Sequence, residues 1–200
     1  MRSSAWSRRA VFMDRDDTLI RDTGYLSDPA AVEPLEGACE AVRRLNEAGI
    51  PVIVVTNQSG VARGFFDEER LQEIHSRLVE VFADMGARID AVYSCPHHPE
   101  GVVERYRLAC RCRKPEPGML IDAARDFGLD LGSCFLVGDK PHDIEAIHRV
   151  GGRGVLVGDP VGVDAPNPAS MPDFVARDIR QAVEWILGKI MAEGGEGGGG

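Results

Sequence analysis

Short, almost wholly apolar runs alternate along this chain with longer stretches whose apolar positions return every three or four residues. The short runs fall at 10–13, 51–56, 90–94, 134–137, 154–157 and 173–176. Their near-continuous apolar character predicts strands buried on both faces. The longer stretches, roughly 37–48, 67–85, 117–127, 141–150 and 179–190, carry the helical period. Local punctuation agrees with these limits. Asp67 ahead of Glu68 and Glu69 reads as an N-cap with an acidic first turn, and Ala48-Gly49 and Phe127-Gly128 read as helix stops. Strands alternating with helices predict an α/β fold with a mainly parallel sheet and helices on both faces.

Two hundred residues suit one compact domain, expected over 1–192. The Gly/Glu tail 193–200 is expected to be disordered, and 159–172 reads as a surface loop. Composition is ordinary for a globular protein, with 44% hydrophobic and 28% charged residues. A formal net charge of -9 argues against a nucleic-acid partner. A phosphorylated small molecule stays compatible, because a bound cation and a few placed basic groups can reverse the local sign. No stretch has transmembrane length and no apolar segment follows Arg2 to Arg9, so no membrane association and a cytoplasmic location are expected. There, five cysteines are expected to be thiols or metal ligands rather than disulfides. Cys39 and Cys134 sit in apolar surroundings and read as core.

Four predicted strand ends carry chemically suggestive residues. Asp14-Arg15-Asp16-Asp17-Thr18 ends the first run with carboxylates two residues apart, able to share a divalent cation with a phosphate. One carboxylate could also attack phosphorus while the other handles a proton. Thr56-Asn57-Gln58-Ser59-Gly60 adds a hydroxyl, two amides and backbone donors. Arg113-Lys114-Pro115 adds two cations, and Gly138-Asp139-Lys140-Pro141-His142-Asp143 adds more carboxylates and a lysine. Each alone is an ordinary turn, but a parallel sheet gathers all of them at one edge. His142 reads as an exposed helix-start residue rather than a catalytic base. The segment 95–118 is too long and too rich in Cys, His and Pro for a plain connection. Cys95 with His97 or His98, and Cys110 with Cys112, supply enough soft ligands for closed tetrahedral zinc.

This combination resembles the haloacid dehalogenase-like phosphohydrolases. More narrowly it resembles the bacterial D-glycero-D-manno-heptose 1,7-bisphosphate 7-phosphatase family, with histidinol-phosphate phosphatases as close relatives. The matching words are Asp14-Arg15-Asp16, Gly24-Tyr25-Leu26, 56–64 (TNQSGVARG), 95–99 (CPHHP), 110–115 (CRCRKP) and Gly138-Asp139-Lys140. The resemblance implies a Rossmann-like, haloacid dehalogenase-like sheet. It implies Asp14 as nucleophile, Asp16 as general acid/base, and Thr56 and Lys114 as phosphoryl-binding groups. Mg2+ would be held by Asp14, Asp16 and Asp139, with Asp143 supporting. Substrate contacts would fall on Asp22, Thr23, Gly24, Tyr25, Asn57, Gln58, Ser59, Arg113 and Lys140. The family pattern selects His97 as the zinc partner of Cys95, Cys110 and Cys112, which makes the zinc structural. One letter departs: Asp17 stands where the family usually has glycine.

Too few residues separate Thr18 from Thr56 for a large inserted cap domain, so the zinc loop and the segment after Asp17 are left to shape the pocket. The activity implied is Mg2+-dependent removal of the 7-phosphate from a sugar bisphosphate through an aspartyl phosphate, feeding nucleotide-activated heptose for lipopolysaccharide or other cell-surface glycans. The alternatives are a histidinol-phosphate phosphatase and, outside enzymes, a phospho-ligand-binding module on the same scaffold. Arg113, placed to grip a second anionic group, favours the bisphosphate. A monomer is expected.

Overall fold

The computed structural model describes residues 8–158 and 168–195. Six strands form one sheet: β1 (Val11–Met13), β2 (Val52–Asn57), β3 (Ala91–Cys95), β4 (Phe135–Gly138), β5 (Arg153–Val157) and β6 (Phe174–Ala176). Five helices intervene: α1 (Ala38–Glu47), α2 (Glu68–Asp84), α3 (Gly118–Phe127), α4 (Pro141–His148) and α5 (Ile179–Gly195). All six predicted strands and five predicted helices are present, and every pairing in the sheet is parallel. Between β1 and β2 the chain carries only a short 3-10 turn at Pro29–Ala31 and α1, so no cap domain is inserted there.

The strand order is β3-β2-β1-β4-β5-β6. The order reverses at β1, so connections leave its carboxyl end and that of β4 toward opposite faces and open a crevice between them. The register Met13 to Val137 and the bond from Asp14 N to Val137 O (2.9 Å) bring the two chain ends out side by side.

Alternation along β1 assigns the two cores. Val11 and Met13 pack with α1, α2 and α5, while Phe12 packs with α3 and α4. With both faces covered, strand residues have no solvated side, which accounts for their unbroken apolar runs. Of the loop expected at 159–172, residues 168–170 form a 3-10 turn, and 159–167 lie outside the described residues. At the C-terminus α5 continues to Gly195, past the expected limit at 192. Glu193 is tied to Arg153 (2.6 Å) and Arg9 (3.5 Å), contacts that composition does not reveal. The rest of the expected disordered tail, 196–200, is outside the described residues.

The buried face of α2 includes one polar member, His75, beside Leu71, Ile74 and Leu78. Burial, helped by the nearby Arg15 charge, lowers its pKa from 6.5 to about 3. Below pH 6.5 the unfolded chain therefore takes up a proton that the folded chain refuses, and stability is lost as the pH falls through that window. Replacing His75 with glutamine should reduce the stability lost between pH 7 and pH 5 by up to about 2 kcal/mol, read from urea unfolding at the two pH values.

Candidate active site

A cavity of about 200 Å³ opens at the carboxyl edge of the sheet, lined in part by Asp14, Asp16, Thr56, Arg113, Asp139 and Lys140. At its floor three carboxylates, those of Asp14, Asp139 and Asp143, offer oxygens within 4.8 Å of one another. Such crowding is tolerable only with a cation among them. Lys114 Nζ supplies one charge, 2.7 Å from Asp14 Oδ1, 2.6 Å from Asp143 Oδ1 and 2.7 Å from the Val55 carbonyl. Burial and repulsion from Asp143 and Asp16 push the Asp14 carboxyl above the usual range, against the pull of Lys114. Burial raises Asp139 and Asp143 as well. For Lys114 burial works against the ammonium, but Asp14 and Asp143 more than offset it and raise its pKa. Three carboxylates that resist ionising, on one side of an open cavity, suit a hard divalent cation with oxygen ligands.

The geometry divides the acidic residues differently from the expectation. Asp143 was expected only to support a metal, yet it shares the cluster with Asp14 and Asp139. The Asp16 side chain, expected among the ligands, is turned onto Arg15 and Gln58 instead, accepting from Arg15 Nε (2.9 Å), Arg15 Nη2 (3.0 Å) and Gln58 Nε2 (2.8 Å). Asp143 reaches the cluster because position 138 is glycine, where a Cβ would overlap the Asp143 side chain.

Of the two amides after Thr56, Gln58 faces the protein while Asn57 lines the cavity. Gln58 is buried and also donates to Thr56 Oγ1 (2.8 Å). Asn57 makes a reciprocal pair with the Lys114 backbone, donating to its carbonyl (3.1 Å) and accepting from its amide (3.0 Å). Ser59 lies in the turn that follows, its carbonyl accepting from Arg63 N (2.9 Å). Asp22 lines the cavity, while Thr23, Gly24 and Tyr25 lie on the exposed loop beyond it. Lys140 pairs with Asp139 at 2.5 Å. Asp17, at the usual glycine position, has φ 53°, the left-handed region that favours glycine, and its carboxylate accepts from Asp22 N (3.1 Å).

Two features escaped the sequence reading. His142 starts α4 as expected but also lines the cavity, and burial with the Lys114 charge lowers its imidazole to about 4. Arg63 places Nη2 3.4 Å from His98 Nε2. Burial and the charges of Arg113 and Arg63 together hold His98 below its ordinary value, so the two arginines form a basic rim around a neutral imidazole, beside an acidic floor. The glycine-bounded word containing Arg63 was visible in the sequence, but its direction was not.

Next to this rim, Cys95, His97, Cys110 and Cys112 converge, with ligand atoms within 4.8 Å of one another. The sulfur–sulfur separations of 3.0, 3.2 and 3.4 Å, and those from His97 Nδ1 of 3.4 and 3.7 Å, place four soft donors around one small centre. None is in a disulfide. A tetrahedral soft-ligand metal fits this set. The Gln58 backbone N–H donates to the Cys95 carbonyl (2.8 Å), and Cys112 leads directly into Arg113 and Lys114.

Comparison with known proteins bears on this arrangement. A family model described as HAD-hyrolase-like matches residues 111–182. The D-glycero-beta-D-manno-heptose-1,7-bisphosphate 7-phosphatase of Photorhabdus laumondii is 39% identical over 181 residues, covering 88% of this chain and 96% of that protein. This chain belongs to the heptose-bisphosphate phosphatase family of haloacid dehalogenase-like proteins. The family member of the same name from Salmonella typhi is 43% identical over 179 residues, again 88% of this chain and 95% of that one. The crystal structure of a D,D-heptose 1,7-bisphosphate phosphatase from B. bronchiseptica, complexed with magnesium and phosphate, superposes with a TM-score of 0.78 at 33% identity, covering 91% and 99% of the two chains. Family membership accounts for the fold and for the order of the motifs.

The Asn57 pair yields a test within this family frame. Asn57→Ala should cost about 1–2 kcal/mol of stability, since it leaves the Lys114 amide and carbonyl without partners. It should also lower turnover several-fold by loosening Lys114, measured by thermal melting and phosphate release on the same preparation.

Proposed function

We propose that this chain is a Mg2+-dependent phosphatase that releases the 7-phosphate of D-glycero-D-manno-heptose 1,7-bisphosphate. The observation that carries the proposal is the Asp14–Lys114–Asp143 ion set beside Asp139 and Thr56 at the strand-order reversal. Asp14, Asp139 and Asp143 would hold Mg2+, which when bound supplies charge neutralisation for phosphoryl oxygens. Asp14 attacks phosphorus, forming an aspartyl phosphate as the bond to the sugar oxygen breaks, and Asp16 gives that oxygen its proton. Asp16 then takes a proton from the water that cleaves the aspartyl phosphate, so free Asp14 and inorganic phosphate return. Thr56 and Lys114 stabilise charge on the remaining phosphoryl oxygens, which is most of the work in phosphoryl transfer.

The basic rim favours a substrate with a second anionic group. Arg113, with Arg63 beside it, offers charged donors away from the acidic floor, suited to the phosphate that is not cleaved. A zinc ion would be held by Cys95, His97, Cys110 and Cys112 as a closed set, leaving it no open position for chemistry. Its part would be to fix the backbone that leads through Arg113 to Lys114, because small misplacements of such groups are costly.

Phosphate release should be screened over both anomers of the heptose bisphosphate and histidinol phosphate, with Mg2+ added and withheld. The heptose bisphosphate is expected to give the highest kcat/KM, and Mg2+ to be required. A higher kcat/KM for histidinol phosphate would reassign the substrate. Asp14→Asn should lower turnover by about a thousandfold or more while the protein still melts cooperatively. Cys110→Ala should lose zinc by elemental analysis, melt at a lower temperature and turn over about tenfold more slowly, still requiring Mg2+. Full turnover in a zinc-free variant would remove the ordering role.

A further inference from the structure

Arg15 stands between the two aspartates of the first strand end, and the chemistry above makes no use of it. Its side chain is 1% exposed. A guanidinium so buried is tolerated only when well paired. The pairing is bidentate: Nε to Asp16 Oδ1 at 2.9 Å and Nη2 to Asp16 Oδ2 at 3.0 Å. Nη2 also donates to Gln58 Oε1 at 2.9 Å. Gln58 Nε2 closes the ring, donating to Asp16 Oδ2 and to Thr56 Oγ1, both at 2.8 Å. Behind the cation lies His75 of α2, held neutral by burial and by Arg15 itself.

Both oxygens of the Asp16 carboxyl are thus gripped from one flank, while the residue still lines the cavity on the other. An aspartate at a loop end otherwise has two free side-chain torsions, and a group that transfers a proton must be held to within a fraction of an ångström. The planar fork of arginine matches a carboxylate in one orientation, which a lysine ammonium cannot do. We propose that Arg15 is a positioning residue, braced by Gln58, that orients the Asp16 carboxyl for proton transfer to the leaving oxygen. The inference rests on the phosphatase reading and adds to it a residue that touches neither phosphate nor metal.

The step it serves gives a specific signature. As the Asp14–phosphorus bond forms and the bond from phosphorus to the leaving oxygen breaks, an alkoxide must receive the Asp16 proton. A p-nitrophenolate leaves without one. Hydrolysis of the aspartyl phosphate, in which Asp16 acts as base, is common to both esters, so the difference is read in kcat/KM, which reports the steps through departure of the leaving group. Loss of orientation should lower it far more for alkyl phosphates than for p-nitrophenyl phosphate, whereas general damage to the site lowers both alike.

The test compares Arg15→Lys and Arg15→Met with wild type on p-nitrophenyl phosphate and on whichever alkyl phosphate the wild-type protein cleaves fastest. The ratio of alkyl to aryl kcat/KM should fall about tenfold or more in both variants, within the range that general acid catalysis supplies. In an Asp16→Asn background Arg15→Lys should cost no further alkyl activity, because the group it orients is gone. Equal losses of kcat/KM on the two esters, or losses that multiply in the double variant, would overturn the inference and leave the phosphatase reading standing. Wild type inactive on every phosphate monoester would remove both. Should the Arg15 variants fail to fold, Gln58→Leu leaves the buried pair in place, removes its brace and carries the same expected fall in the ratio; an unchanged ratio there overturns the inference.

Discussion

Three carboxylates and one lysine share a buried corner where the strand order reverses, and the rest of the site is arranged around keeping that set intact. Any one member removed leaves an uncompensated charge in a poorly solvated place, so the four stand or fall together. Asp14 arrives on β1 and Asp143 on the first turn of α4, both supported by the regular sheet. Lys114 has no such support, since it comes from the long irregular segment between β3 and α3. That segment carries two restraints close to the lysine. Asn57 pins its backbone to the end of β2, and the Cys/His cluster gathers the chain immediately before it. Both read as answers to one problem, the placement of a buried cation by a loop.

The sheet also explains why so much of the site could be read from residues alone. In a parallel sheet all carboxyl ends lie on one edge, so chemically unusual strand ends are neighbours whatever their separation in the chain. Asp14, Thr56, Lys114 and Asp139 are found together for that reason. Their surroundings were less legible because side-chain direction is a tertiary property. Asn57 and Gln58 look like ligand-binding amides in the sequence, yet Gln58 turns inward as a strut for Asp16, and Asn57, at the cavity wall, also holds the Lys114 backbone. Whether Asp16 or Asp143 joins the carboxylate cluster depends on Arg15, and on a glycine at 138 that makes room for Asp143. No periodicity encodes either fact. The end of α5 was hidden differently: its Gly-rich composition favours disorder, while distant Arg9 and Arg153 hold Glu193 in place.

Asp17 sharpens how local and global demands meet at this edge. The backbone turns away from β1 through a left-handed residue, a conformation that glycine enters freely and most others enter at a cost of about 1–2 kcal/mol. Aspartate lowers that cost with its own side chain, which caps the Asp22 amide and so ties the turn to the next part of the loop. Tyr25 adopts the same left-handed conformation at φ 57°, next to Gly24 at 72°, and rests on Phe65 at 4.5 Å. The loop from 17 to 25 is therefore held at both ends by strained but partnered residues.

The charge of Asp17 has a second consequence. It faces Asp139 and Lys140, adding to the field that keeps Asp139 above and Lys140 above their ordinary values. The mouth of the cavity is then acidic on the side of β1 and β4 and basic on the side of Arg113 and Arg63. A neutral glycine at position 17 would leave that contrast weaker. An anion entering the cavity meets attraction along one flank and repulsion along the other. The departure at Asp17 thus fits the turn geometrically while deepening the charge contrast across the cavity mouth.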